Sequence, residues 1–131
     1  MLFNNIKNIL SILFFISIVF NRVIFVPTEY SSIQNALNAA IENDTILIDT
    51  GYYYENIFWP NTQSITLLGQ SIDSTIITSE NQGSIFTITN QNPSYINNNT
   101  LISNFTLING NATLSYPEDR GGGISLVNVS P

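Results

Sequence analysis

The residues of this chain that could do chemistry are nine carboxylates, because the sequence contains no histidine and no cysteine. A His general base, a Cys nucleophile, a disulfide and a Cys-based zinc site are therefore excluded. Most of the carboxylates stand singly in predicted turns, and only Glu118-Asp119-Arg120 places acids beside a base. One acidic pair supplies too few of the roughly 6–8 oxygens that Ca²⁺ takes. We interpret this triple as a solvated insertion rather than a ligand contact, and we predict no catalytic residue, metal site or cofactor.

A run of aromatic residues offers a second candidate site, formed by Tyr52, Tyr53, Tyr54, Phe58 and Trp59. Exposed Tyr and Trp rings stack on sugar rings and anchor many interfaces. This makes Tyr53 and Trp59 candidate glycan contacts. The alternative is that the rings pack against a neighbouring helix, since burying an aromatic ring strongly stabilises a small domain. Glu55 and Asn56 are interpreted as residues that turn the chain.

The charge of the chain restricts its partners. The net charge is −6, and only Lys7, Arg22 and Arg120 are positive. Phosphate backbones are bound by clustered Lys and Arg, so nucleic acid is excluded as a partner, and an anionic membrane surface would repel the chain. The polarity comes instead from Asn, Ser, Thr and Gln, which suit turns and stacked side-chain ladders.

The N-terminal segment has the pattern of an export signal. Lys7 precedes an apolar run from Ile9 to Phe20, and Asn21-Arg22 closes it. A positive residue followed by 7–15 apolar residues is typical of a signal peptide, whereas a bilayer span takes about 20. We predict a signal peptide over residues 1–22, with an uncleaved anchor as the alternative. The remaining chain, residues 23–131, is then secreted or held at the cell surface.

A short amphipathic helix is predicted over Ser32–Glu42. Ser31 and Gln34 have the spacing of a capping box, in which each side chain satisfies a backbone N–H at the helix start. The apolar residues that follow, at helical spacing, are Ile33, Ala36, Leu37, Ala40 and Ile41. A single helix ahead of a series of strands would cover the first open edge of a sheet or solenoid.

Beyond the helix, a five-residue strand pattern recurs at a spacing of about nineteen residues. Its starts are Ile46, Ile65, Phe86, Phe105 and Ile124, separated by 19, 21, 19 and 19 residues. One turn of a parallel β-helix uses about this many residues, with the first and third residues of each pattern pointing inward. The pattern predicts four to five stacked coils. An antiparallel sandwich with evenly spaced strands is the alternative.

The order of several short motifs resembles the N-terminal part of right-handed parallel β-helix proteins of the pectin-lyase-like superfamily. The motifs are Tyr30-Ser31-Ser32-Ile33-Gln34-Asn35-Ala36-Leu37, Asp44-Thr45-Ile46-Leu47-Ile48, Gly51, Tyr54-Glu55-Asn56-Ile57, Leu67-Leu68-Gly69 and Thr75-Ile76-Ile77. The later Gly121-Gly122-Gly123-Ile124-Ser125-Leu126 looks more like bacterial surface β-helix repeats. The resemblance implies an all-β, right-handed parallel β-helix with three strands per coil, and carbohydrate as the commonest ligand. It implies no single reaction, because the superfamily holds lyases, hydrolases, esterases and adhesins.

Two functions follow as expectations. The first is a non-catalytic, secreted or cell-surface β-helix module that contacts glycans or acts in surface adhesion. The second is the N-terminal part of a polysaccharide-processing enzyme, resembling a pectin esterase or lyase, whose catalytic coils are missing. No capping element follows the last predicted strand, so we expect the β-helix to be incomplete at its C-terminus. Further coils, or self-association through the open end, would cover it.

Five tripeptides fit the N-glycosylation pattern of Asn, any residue and Ser or Thr: Asn43-Asp44-Thr45, Asn98-Asn99-Thr100, Asn104-Phe105-Thr106, Asn111-Ala112-Thr113 and Asn128-Val129-Ser130. Such matches are expected by chance in a chain rich in Asn and Thr. They matter only if the chain enters a eukaryotic secretory pathway.

Overall fold

The computed structural model describes residues 21–89, 97–112 and 122–127. The predicted export segment up to Phe20 and the triple Glu118-Asp119-Arg120 lie outside these residues. Within the described ranges, no helix has the length and apolar character needed to cross a membrane.

The described residues form ten short strands and one helix. They are β1 (Val23–Val26), α1 (Ile33–Ala39), β2 (Thr45–Ile48), β3 (Gly51–Tyr54), β4 (Ile57–Phe58), β5 (Thr66–Gly69), β6 (Thr75–Thr78), β7 (Phe86–Thr89), β8 (Leu101–Ser103), β9 (Thr106–Ile108) and β10 (Ile124–Val127). In β1, exposed Val23 and Phe25 alternate with buried Ile24 and Val26. This alternation follows from the two-residue period of a strand, which sends successive side chains to opposite faces.

The strands pair only in parallel and make three sheets. Sheet A has the order β1-β2-β5-β8, sheet B the order β3-β6-β9 and sheet C the order β4-β7-β10. The successive triples β2–β4, β5–β7 and β8–β10 each give one strand to each sheet, and we call each triple a circuit. The predictions of an all-β fold, of parallel pairing and of one short helix are confirmed.

The predicted spacing of nineteen residues is wrong as a description of strand pairing. Ile46 pairs with Leu67 rather than with Ile65. Phe86 pairs directly with Ile124 in sheet C, whereas Phe105 precedes a strand of sheet B. Alternating apolar residues occur in the strands of every sheet. The nineteen-residue pattern therefore grouped strands that belong to different sheets. The described residues contain three circuits rather than the predicted four to five.

The core is built from inward side chains that stack in columns from one circuit to the next. Ile24, Ile46 and Leu67 form such a column in sheet A, and all three are fully buried. Fully burying one such side chain stabilises the fold by roughly 1.5–3 kcal/mol. The core is less well covered at the last described circuit, where Ile124 and Leu126 are 42% and 44% exposed.

Helix α1 lies inside the predicted span, but its N-cap is Ser32. The Ser32 Oγ accepts a hydrogen bond from the Asn35 amide at 3.2 Å. The predicted capping box of Ser31 with Gln34 is therefore wrong, and the Gln34 side chain bonds elsewhere, to the backbone of β4.

The buried face of α1 is shorter than the predicted apolar stripe. Ile33, Ala36 and Leu37 are fully buried, and Ala40 is nearly so. Ile41 is 59% exposed, because the helix ends at Ala39 and Ile41 no longer lies on its buried face.

Candidate functional site

The two predicted glycan contacts are buried. Tyr53 is 9% exposed and Trp59 is 6% exposed, and both belong to the hydrophobic core. Tyr53 is the inward residue of β3, and its hydroxyl donates to the Asp49 carbonyl at 3.0 Å. Trp59 continues β4, where its amide donates to the Thr87 carbonyl at 2.9 Å. Neither ring offers an open face to a sugar, so the prediction that they contact glycans does not fit the structure.

The exposed aromatic rings are the neighbours of these two residues. Tyr52 and Tyr54 are 60% and 63% exposed, and their rings stack with centroids 6.4 Å apart. Phe58 is 62% exposed on the outer face of sheet C. The reason is strand alternation: Ile57 and Trp59 point inward, so the side chain between them must point outward.

Phe58 lies in a cleft of about 190 Å³ on the outer face of sheet C. Register places Phe58 beside Thr87, and Thr87 beside Ser125, so one outward residue from each circuit forms the floor. The residues that line the cleft are Asn56, Phe58, Gln82, Gly83, Ser84, Thr87, Asn111, Ala112, Ser125 and Val127.

One wall of the cleft is the loop between β6 and β7, which Asn56 holds in place. The Asn56 Nδ2 donates to the carbonyl of Ser84 at 2.9 Å and to that of Gln82 at 3.4 Å. Gly83 adopts a φ of 120°, which L side chains rarely adopt, and its carbonyl accepts from the Asn111 amide at 2.9 Å. A side-chain amide therefore links the first circuit to the loop of the second.

The backbone beneath Phe58 is held by the helix. Strand β4 is the outermost strand of sheet C, so its outer edge has no neighbouring strand in the described residues. The Gln34 Oε1 accepts from the Phe58 amide at 2.7 Å, and the Gln34 Nε2 donates to the Phe58 carbonyl at 2.9 Å. One side-chain amide thus supplies both bonds that a neighbouring strand would make.

The helix is fixed in turn by Glu55, at the end of β3. Its two carboxylate oxygens accept from the amides of Ile33 and Gln34, at 2.8 and 2.9 Å. These are first-turn N–H groups, which have no partner within a helix. A negative charge there is also favoured by the helix dipole. Glu55, interpreted from sequence as a turn residue, therefore positions the residue that supports the cleft.

Among the described residues, none of the side chains that line the cleft is ionisable, so this lining carries no charge. It offers amide donors and acceptors, hydroxyl groups and one exposed aromatic face. No group of three or more acidic, His or Cys residues able to hold a metal is found in the described part of the chain. This arrangement can bind an uncharged polar ligand by hydrogen bonding and ring stacking. Its described lining residues include no nucleophile beside a general base and no acid–base pair.

The sequence placed Phe58 in the aromatic cluster, but Tyr53 and Trp59 were predicted to be the glycan contacts. The signal that could have found it is the alternation of Ile57, Phe58 and Trp59, in which only the central residue shares the outward face with polar Thr87. Gln82 and Asn111 carried no such signal, because their place in the cleft depends on how the circuits stack.

Gly122, in the Gly121-Gly122-Gly123 stretch of the sequence, lies where two loops pack closely. A Cβ on Gly122 would overlap the backbone of Gly110, and the reverse also holds. Two loops therefore pass each other with no room for a side chain. Gly121 lies outside the described residues.

Comparisons with protein-family models, with curated proteins and with solved structures each returned no match to this chain.

Proposed function

We propose that this chain forms the N-terminal circuits of a right-handed parallel β-helix, that it is exported, and that it binds neutral glycans without catalysing their reaction. The observation that carries the binding proposal is the uncharged cleft with Phe58 exposed on its floor. The β-helix proposal is supported by three circuits that each give one parallel strand to each of three sheets.

A neutral glycan fits this cleft by its chemistry. Sugar hydroxyl groups both donate and accept hydrogen bonds, as do the side-chain amide of Gln82 and the hydroxyl of Thr87. The apolar face of a sugar ring can stack on Phe58. An acidic polysaccharide is disfavoured, because the chain has a net charge of −6 and the described lining of the cleft offers no cation to pair with a carboxylate.

The last circuit also needs a partner. Strands β8, β9 and β10 each pair on one side only within the described residues. Leu101, Ile124 and Leu126 are each more than 40% exposed there. Unpaired strand edges without charged residues recruit other strands. We propose that further coils or a second copy of the chain cover this end.

Glycan binding is tested by affinity electrophoresis of the full chain in gels containing soluble neutral polysaccharides, a galactan and a β-glucan, or polygalacturonate. We expect retardation by at least one neutral polymer and none by polygalacturonate. Phe58→Ala is expected to weaken binding at least tenfold while leaving thermal stability nearly unchanged, because the ring is exposed and Gln34 contacts only the backbone.

Tyr52→Ala is the matched control, since Tyr52 is equally exposed but lies outside the cleft. It should bind as the wild type does. Retention of binding by Phe58→Ala, or retardation by polygalacturonate alone, would overturn the proposed site. Shortened polysaccharide after incubation would instead favour the enzyme hypothesis.

A further inference from the structure

Three of the five glycosylation tripeptides lie wholly within the described residues, and the structure separates them. They begin at Asn43, Asn98 and Asn104. The attachment atom in each is the side-chain nitrogen Nδ2, so its surroundings decide whether the folded protein can carry a glycan.

Asn98 lies in the tight turn that leads into β8, and its side chain is exposed. The neighbouring Asn97 organises this turn: its Oδ1 accepts from the Asn99 amide at 3.0 Å, and its Nδ2 donates to the Ser64 hydroxyl at 3.0 Å. The Thr100 amide closes the turn on the Asn97 carbonyl at 3.0 Å. The Asn98 side chain takes no part in these bonds.

Asn104 is also exposed, but its side-chain nitrogen is already engaged. Its Nδ2 donates to the Gly69 carbonyl at 2.7 Å. Its own backbone oxygen lies so close to Gly69 that a Cβ there would overlap it. A sugar on Nδ2 would crowd this bond, which ties the Asn104 side chain to the backbone of the neighbouring circuit.

Asn43 resembles Asn98 in being exposed, in the turn between α1 and β2. Its backbone has a φ of 69°, a left-handed conformation that Asn tolerates. A glycan at this residue would point away from the core and is compatible with the fold.

We propose that the exported protein carries an N-linked glycan at Asn98, tolerates one at Asn43, and excludes one at Asn104. The donor is an oligosaccharide joined to a lipid diphosphate, supplied by a eukaryotic secretory pathway. The Asn98 Nδ2 attacks the anomeric carbon, a C–N bond forms, and the C–O bond to the diphosphate breaks. The lipid diphosphate leaves with the bonding electrons, and one amide proton is released.

This inference depends on the proposed export, so the test has two arms. The full chain is expressed in a eukaryotic secretory host, alone and with an established cleavable leader ahead of it. Translocated protein is treated with peptide-N-glycosidase, which converts each glycosylated Asn to Asp, and modified positions are mapped by mass spectrometry. If only the chain without the added leader fails to be translocated, export by the native segment is contradicted. The chain with the leader then tests the glycan proposal by itself.

We expect conversion at Asn98 and none at Asn104 in the secreted fraction. Asn98→Gln should remove one glycan, whereas Asn99→Gln, the same change one residue away, preserves the tripeptide and should keep it. Translocated protein unmodified at Asn98, or secreted protein modified at Asn104, would overturn the proposal.

Discussion

Single acidic side chains hold the ends of the helix, and these contacts explain their scattered places in the sequence. Glu55 accepts from the amides of Ile33 and Gln34 at the start of α1. The fully buried Asp44 accepts from the amides of Arg22 and Ile41, at 3.0 Å each, just beyond its end. A carboxylate that accepts backbone N–H groups satisfies donors that would otherwise lose their partners. Glu55 and Asp44 therefore stabilise the fold by satisfying backbone donors at the two ends of α1.

Replacing Glu55 tests this role. Glu55→Ala removes two charge-assisted hydrogen bonds to the helix and is expected to lower the free energy of unfolding by about 1–3 kcal/mol. Glu42→Ala is the matched control, since Glu42 is exposed, and it should change stability by less than about 0.5 kcal/mol. Urea denaturation followed by circular dichroism measures both. Equal stability of the two variants would show that the Glu55 contacts do not stabilise the helix.

Ionisation of the Tyr53 hydroxyl is expected to lower the free energy of unfolding at alkaline pH. Burial raises the pKa of its hydroxyl above the ordinary value of 10.0, and the negative charges of Asp49 and Glu55 raise it further. The neutral form is favoured in the folded state, so its contribution is fully present below the unfolded pKa and is lost as pH rises through the folded one. Stability should therefore fall above about pH 10.

Tyr53→Phe should be less stable than the wild type at pH 7 by about 0.5–1.5 kcal/mol, because it loses the bond to the Asp49 carbonyl. It should also show a shallower decline of stability between about pH 9 and 12. Tyr52→Phe, changed at an exposed ring, serves as the control. An unchanged alkaline slope in Tyr53→Phe would contradict this account.

At the scale of the elements, the helix protects the outer edge of β4. Gln34 replaces a neighbouring strand by bonding both backbone groups of Phe58. The same contact fixes the strand that presents the Phe58 ring to the cleft. Protection of the edge and placement of the candidate site therefore depend on one side chain.

Gln34→Ala should remove both bonds, lower stability by about 1–2 kcal/mol and speed hydrogen exchange at the Phe58 amide at least tenfold. Asn35→Ala removes an exposed amide from the same helix without touching β4, and should leave that exchange unchanged. Amide exchange followed by NMR distinguishes the two. Unaltered exchange at Phe58 in Gln34→Ala would show that the edge is protected by other contacts.

The strands themselves could be predicted from the sequence more reliably than the pairing between them. The alternation of Ile46 with Ile48 and of Phe86 with Ile88 indicated strands with those residues inward, and all four are buried. Which strands pair could not be predicted in the same way, because the connections between circuits differ in length. Ile46 pairs with Leu67, 21 residues later in the chain, whereas Phe86 pairs with Ile124, 38 residues later.

The candidate site was less predictable than the fold. Its aromatic residue was within the predicted cluster, but choosing Phe58 over Trp59 requires the face of β4 to be known. Asn111 joins the site only because its loop stacks against Gly83. Contacts of this kind depend on tertiary register, which a local pattern does not contain.

At the scale of the whole molecule, stability comes from stacking one circuit on the next. Each sheet adds one parallel strand per circuit, and inward side chains such as Ile24, Ile46 and Leu67 meet their counterparts above and below. Each layer depends mainly on its neighbours. The helix covers part of the first circuit, and the exposed apolar side chains of the last one are the region where we expect further strands to bind.

The order and register of these circuits are tested most directly by pairs of introduced cysteines, since the chain contains none of its own. Leu47 pairs with Leu68, and Thr87 pairs with Ser125. Paired positions fall within the Cα separation of about 4.4–6.8 Å that a disulfide requires. We predict that the 47/68 and 87/125 double-cysteine variants form intramolecular disulfides under mild oxidation. The 47/66 and 87/106 variants, matched to a nineteen-residue spacing, should stay reduced. Disulfides in the latter two variants and not in the former would contradict the three-sheet arrangement.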